Sequence, residues 1–137
     1  MYIIIAGCGK VGANLAKKLS DFGHDVAVID RDEKSFEQLG TGYNFLTITG
    51  IPIDEDVLKD AGIESADALA AVTNDDNTNI MISQIARQLY RVPKVITRSY
   101  DPESTEVLDN LGLDAICTTV LAVDCFFDRL TREGDGK

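Results

Sequence analysis

Three glycines at fixed spacing are the residues of this chain best placed to do chemistry. They lie in Gly7-Cys8-Gly9-Lys10-Val11-Gly12, a G-x-G-x-x-G that follows the apolar run Tyr2 to Ala6. Gly7 permits a tight turn, Gly9 lets the main chain approach a pyrophosphate, and Gly12 lets a helix pack close to a strand. From Val11 onward, Val11, Leu15, Leu19 and Phe22 recur at helical spacing. The free N–H groups of that helix start would face an anion. A second buried run, Val26 to Ile29, ends on Asp30. An acid there accepts hydrogen bonds from both hydroxyls of a ribose. The plainer alternative is a set of turn glycines and an Asp30 that caps the next helix. With strand, loop, helix, strand and acid all in register, the dinucleotide-binding fingerprint is the better reading.

The other reactive side chains say less. Cys8, Cys117 and Cys125 show no C-x-x-C spacing, and an odd count suits a reducing compartment. Cys8 sits in the glycine loop, where a helix N-terminus could activate its thiol. It also serves simply as a small side chain that fits. His24, the single histidine, falls in the turn Gly23-His24-Asp25 and is assigned no role.

The elements that must position the loop alternate along the whole chain. After Asp30 the pattern predicts a short helix over Asp32 to Leu39, capped by Asp30 or Asp32, and a third strand over Phe45 to Ile48 closed by Gly50. A helix over Asp54 to Ala61 stops at Gly62, and Asp67 to Val72 is a fourth strand running into Thr73-Asn74-Asp75-Asp76. A longer helix spans about Asn77 to Tyr90, and Lys94 to Arg98 is strand five. Pro102 to Leu111 is a helix with proline in its first turn, Ala115 to Cys117 a brief sixth strand, and Val120 to Leu130 the last helix. Such alternation means an α/β fold: a Rossmann-like, doubly wound parallel sheet of six strands, ordered 3-2-1-4-5-6, with a C-terminal helix. The crevice then lies where the order reverses, with the loop after strand one, Asp30 after strand two and Thr73-Asn74 after strand four converging on it.

Composition bounds the function. A chain of 137 residues, 45% apolar and 26% charged, is one soluble domain with a real core. A net charge of −10 argues against nucleic acid or an anionic membrane as partner. The N-terminal residues already read as a strand, leaving no room for a signal peptide, and no 18-residue apolar run occurs. A cytoplasmic location without membrane insertion is expected. Residues 1–130 are expected to form the domain and residues 131–137 a polar, frayed tail.

The stretches IIIAGCGKVG, VAVIDRD, VLKDAGIESADALAAVTNDDNTNIMISQIAR and VPKVITRSYDPE together resemble the N-terminal domain of the RCK or KTN type. Such domains occur on Trk- and Ktr-type potassium transporters and on potassium channels. DAGIESADALAAVTNDD is the specific stretch, since ordinary Rossmann dehydrogenases lack it. The resemblance implies a cytoplasmic regulatory domain that binds NAD(H) or an adenine nucleotide (ATP, ADP or AMP). It also implies a homodimer, larger rings, and gating of potassium flow through a membrane transporter or channel subunit.

Residue by residue, Gly7, Cys8, Gly9, Val11 and Gly12 match the family's phosphate loop. Lys10 stands where some members carry a basic residue that reaches the phosphates; a solvated first-turn lysine is the equal alternative. Asp30 matches the ribose acid, and Arg31 is close enough to stack on an adenine or contact a second phosphate. Thr73 and Asn74 match the strand-four loop. Arg98 matches an arginine near the ligand phosphates, against a salt bridge to Asp101 or Glu103. After strand three the family usually reads Gly-Asp-Ala, and here stands Gly50-Ile51-Pro52. Ile51 offers apolar contact and backbone groups only, which loosens base specificity. The C-terminal ligand-binding domain of many members is absent, so this is either part of a longer protein or a free-standing subunit.

Two rivals remain. A small NAD-dependent oxidoreductase would need a proton-handling residue beside the nicotinamide and a place for substrate. No Tyr-x-x-x-Lys pair, crevice histidine or Ser–His–Asp set is present, and Tyr90 falls far from the crevice. A receiver domain would need acids at the end of strand one, where Gly7-Cys8-Gly9 stands. The final helix carries an apolar stripe, Val120, Val123, Phe127 and Leu130, able to cover sheet or core. Ala122, Cys125 and Phe126 form a second apolar face, expected to pair with another copy.

Overall fold

The computed structural model describes residues 1–133. Strands β1 (Tyr2–Ala6), β2 (Asp25–Asp30), β3 (Leu46–Thr49), β4 (Ala68–Ala71), β5 (Lys94–Ser99) and β6 (Asp114–Cys117) form one sheet. Helices α1 (Lys10–Asp21), α2 (Glu55–Asp60), α3 (Asp76–Gln84), α4 (Ser104–Asn110) and α5 (Thr118–Thr131) connect and follow them. All neighbours pair in parallel, in the order β3-β2-β1-β4-β5-β6. The expected order and its reversal between β1 and β4 are both present.

Strand β1 lies between β2 and β4, and its side chains alternate between two cores. Ile3 and Ile5 join Ala13 and Ala16 of α1 with Val26, Val28 and Leu39 on one face. Ile4 and Ala6 join Ala27, Ile29, Leu58, Leu69 and Ile82 on the other. Ile4, Ile5 and Ile29 are fully buried, and each such side chain contributes roughly 1.5–3 kcal/mol. A strand covered on both faces reads as a continuous apolar run, as YIIIA does.

Four elements depart from the expected pattern. Residues 33–39 form a 3₁₀ stretch, with i to i+3 bonds such as Ser35 N to Asp32 O at 3.0 Å. Asp32 starts it by accepting from Lys34 N, and Gly40 at φ 69° ends it. The long helix is α3 followed by one π turn, Ile85–Leu89, in which Tyr90 N donates to Ile85 O at 3.3 Å. Ile85 and Tyr90 both pack on the core, and residues five apart share a face only in such a turn. Helix α4 begins at Ser104, so Pro102 precedes it rather than sitting in its first turn.

The fourth departure is α5. Neither of its apolar faces covers the sheet or the core, and no residue of the helix is buried. Val123, Phe126, Phe127 and Leu130 are 59%, 69%, 62% and 82% exposed. Because β6 leads straight into Thr118, with Cys117 as the cap, the helix leaves the sheet edge before it can fold back. Of the expected tail, residues 134–137 lie outside the described residues.

Candidate nucleotide-binding cleft

A cleft of about 840 Å³ opens at the carboxyl ends of β1 and β4, where the strand order reverses. Open α/β sheets place ligands at this point. Gly7, Gly9, Lys10 and Val11 line it from the β1–α1 loop, and Asp30, Arg31 and Ser35 from the end of β2. Ile51, Pro52 and Ile53 enter after β3, and Val72, Thr73, Asn74, Asp75 and Thr78 after β4. Arg98 and Tyr100 close it from β5.

The glycine loop is shaped by close approach. Gly7 adopts φ 113°, and a Cβ there would stand 2.8 Å from Thr73 N. A Cβ on Gly12 would lie 1.9 Å from the Gly7 carbonyl oxygen, so the first turn of α1 can pack this close to the loop only with glycine there. A Cβ on Gly9 meets nothing within 4 Å, because that side of the loop faces open space. Helices α2 and α3 start on Asp54 and Asp75, whose carboxylates accept from Asp56 N and Thr78 N. Helix α1 starts on Gly9, with no side-chain cap and no acid in its first turn. Its orphan N–H groups are thus left for an anion.

Asp30 ties the loop to the second strand. Its Oδ2 accepts from Cys8 N at 2.8 Å and its Oδ1 from Asp32 N at 2.8 Å. Two bonds leave lone pairs over, since a carboxylate has about four acceptor positions. The alternative in which Asp30 caps the next helix is not what forms; Asp32 does that. At the opposite wall the Arg98 guanidinium lies 4.0 Å from the centroid of the Tyr100 ring. Its Nε is buried and has no hydrogen-bond partner among the described residues. The expected alternative, a salt bridge to Asp101 or Glu103, is replaced by this stacking.

Ten of the thirteen sequence-derived site residues line the cleft, and Cys8, Gly12 and Gly50 do not. Cys8 contributes its N–H to Asp30 while its side chain points into the core, its Sγ 3.4 Å from the Ser35 carbonyl. Burial first, and then the Asp30 charge, push its thiol up to about 11. That is the opposite of activation by a helix N-terminus. Gly50 backs the cleft, where a Cβ would strike Val57 at 2.6 Å. His24 lies elsewhere, 3.1 Å from the Met1 amino group.

Sequence reasoning missed Asn79. Fully buried on α3, it accepts from Thr73 N at 2.9 Å and from the Thr73 hydroxyl at 2.6 Å. Its amide donates to the carbonyls of Thr73 and Arg98, both at 3.1 Å. One side chain therefore locks the β4 loop to the end of β5. A polar residue inside the apolar stripe of α3 was the available signal. Tyr100 was also missed, although it shares a face with Arg98 two residues earlier on an extended chain.

Residues 3–119 match the family model of the TrkA-N domain. The chain belongs to the TrkA-N domain family. It is 45% identical over 134 residues to a Trk system potassium uptake protein TrkA of Streptomyces coelicolor, covering 98% of this chain and 60% of that protein. The chain thus spans about 60% of the length of the first curated relatives it matches. Among solved structures, the Kef CTD of Shewanella denitrificans in AMP-bound form superposes with a TM-score of 0.83 at 22% identity, covering 99% of this chain and 84% of that one. The GsuK RCK domain superposes with a TM-score of 0.81 at 25% identity, over 94% of this chain and 28% of that one. The TrkA-N fold and the RCK fold are therefore one architecture.

Proposed function

We propose that this TrkA-N domain is a regulatory module that binds NAD(H) or an adenine nucleotide and passes its occupancy to a potassium-transporting membrane partner. The observation that carries the reading is the convergence of the uncapped α1 start, Asp30 and the unpartnered Arg98 Nε on one cleft. Gly7, Gly9, Lys10 and the first turn of α1 take the phosphates. Arg98 reaches them from across the cleft, and Asp30 holds the ribose. Arg31 and Ile51 flank the base, while Cys8, Gly12 and Gly50 shape the walls from behind. The AMP-bound Kef CTD, and GsuK bound to NAD and to ADP, support the ligand class. The potassium-uptake names of the relatives support the potassium partner, and a cytoplasmic location belongs to the same reading.

Regulation rather than turnover is the reading for the chemistry. The cleft offers carboxylates, hydroxyls and cations that bind, and Tyr90 is engaged with Glu55 at 2.8 Å outside it. Assembly follows from α5, whose bare apolar faces suit the same helix of a second copy, making a homodimer from which larger rings are built. Among the described residues no helix is long and apolar enough to cross a membrane, so the membrane component is a separate span or subunit in this reading.

Titration calorimetry with NAD, NADH, NADP, ADP and ATP tests the ligand. Asp30 is pinned by two N–H groups and cannot swing away from a 2′-phosphate, so NAD is expected to bind tighter than NADP. Tighter binding of NADP would overturn the ribose assignment, and no binding of any of the five would overturn the nucleotide reading.

A further inference from the structure

We infer that the cleft reads a nucleotide's ribose and phosphates but scarcely its base, so that guanine nucleotides occupy it about as well as adenine nucleotides. The inference rests on the nucleotide reading above and concerns only the base end. With a ribose on Asp30, the base lies past the tips of β2 and β3. Register sets Thr49 opposite Asp30, and Gly50 N donates to the Asp30 carbonyl at 3.0 Å. The chain that follows therefore passes directly beside the ribose position.

That chain is Ile51-Pro52-Ile53, and all three residues line the cleft. Ile51 is 53% exposed, Pro52 is buried and Ile53 packs on the core beneath. The wall is anchored, and its side chains carry no donor or acceptor. Asp54, the next polar residue, is turned away to cap α2, accepting from Asp56 N at 2.9 Å. On the β2 side, Asp32 does not line the cleft; it caps the 3₁₀ stretch, accepting from Lys34 N at 3.0 Å. Ser35 lines the cleft with a hydroxyl that can donate or accept, so it can meet either base. Side-chain discrimination between donor and acceptor at the base end thus falls to Arg31, which is exposed and lines the cleft.

Adenine and guanine differ most at position 6, an amino donor in one and a carbonyl acceptor in the other. A site that selects adenine needs an acceptor for that amino group. An apolar wall stacks on either base, and an arginine is a donor with no acceptor capacity. Arg31 can meet both O6 and N7 of guanine, whereas adenine offers it N7 alone beside a repelling donor. Among its side chains the base end therefore lacks a fixed acceptor that would select adenine and reject guanine.

Calorimetry with ADP and GDP on the intact chain and on Arg31→Ala tests this. GDP is expected to bind within about tenfold of ADP, since a side-chain read-out of the wrong base would separate them by more. In Arg31→Ala the ratio of GDP to ADP affinity is expected to fall about threefold or more, because GDP loses two acceptor contacts and ADP one. GDP weaker than ADP by more than about tenfold overturns the inference and leaves the nucleotide reading standing. An unchanged ratio in Arg31→Ala overturns it equally. If neither ADP nor NAD binds, the nucleotide reading fails and takes this inference with it.

Discussion

Single atoms govern the cleft at the residue scale. A methyl group on Gly12 would overlap the Gly7 carbonyl at 1.9 Å, whereas one on Gly9 meets nothing. Gly12→Ala is expected to cost about 1–3 kcal/mol of stability by overpacking and to abolish nucleotide binding. Gly9→Ala should melt like the native chain and lose affinity alone, through a methyl group in the phosphate path. Thermal melts paired with calorimetry separate the two outcomes. Asn79→Leu leaves the part-buried Thr73 N and Arg98 carbonyl without their partner, at up to about 1–3 kcal/mol for each unmet group. Its melting temperature should fall and its affinity with it. Cys8 yields a chemical prediction. Its thiol is pushed up to about 11 and buried, while Cys125 is exposed. An aromatic disulfide reagent at pH 8 should therefore spare Cys8 and Cys117 until the chain unfolds, and should label Cys125 rapidly only at dilutions where the α5 faces are unpaired.

The same thiol sets a direction for alkaline stability. The folded chain holds the Cys8 proton more tightly than the ordinary value of 9.0, and the Tyr90 proton, raised to about 12 first by its bond to Glu55, more tightly than 10.0. Both contributions are complete below pH 9 and are lost as pH climbs toward 11–12, since the unfolded chain releases its protons first. Urea melts from pH 8 to 11 should show falling midpoints, and Cys8→Ala should flatten the early part of the fall.

At the scale of elements, α5 is the outlier. The other helices bury at least one side chain, whereas α5 buries none and exposes two adjacent phenylalanines. An apolar hollow of about 680 Å³ runs along it, from Tyr100 and Thr119 to Phe126 and Leu130. Leaving that surface wet is unfavourable by about 25 cal/mol per Å² of apolar area. Sedimentation of the intact chain at micromolar concentration should give a dimer, and a chain ending at Thr118 should give a folded monomer. A monomeric intact chain, or a dimeric truncated one, would refute the α5 interface.

Across the whole molecule, a net charge of −10 coexists with a site for anions. The resolution is local. Orphan N–H groups at the α1 start, Arg98 and Lys10 converge on the cleft, and backbone donors carry no entry in the net charge. A binding cleft of this kind should hold NADH without consuming it. Absorbance at 340 nm should stay constant with common carbonyl metabolites present; sustained oxidation that disappears in Asp30→Ala would instead make the protein an oxidoreductase.

Much of this was legible in the residues themselves. The β1 run, the glycine spacing and Asp30 at the end of β2 are local signals, and parallel crossovers of one hand leave little freedom in strand order. The crevice followed because the strand ends that border it were already identified. Tertiary structure decided what depends on contacts distant in sequence. Asn79 gains its role only when α3 sets it between Thr73 and Arg98, which lies 19 residues further along. The direction of the Cys8 side chain, into the core and away from the cleft, depends on residues 33–39 crossing over it. The apolar stripe of α5 looked like a core face, because periodicity reports that a surface is to be covered and is silent about which surface covers it. Only the path of the chain out of β6 decided that the cover does not come from residues 1–133.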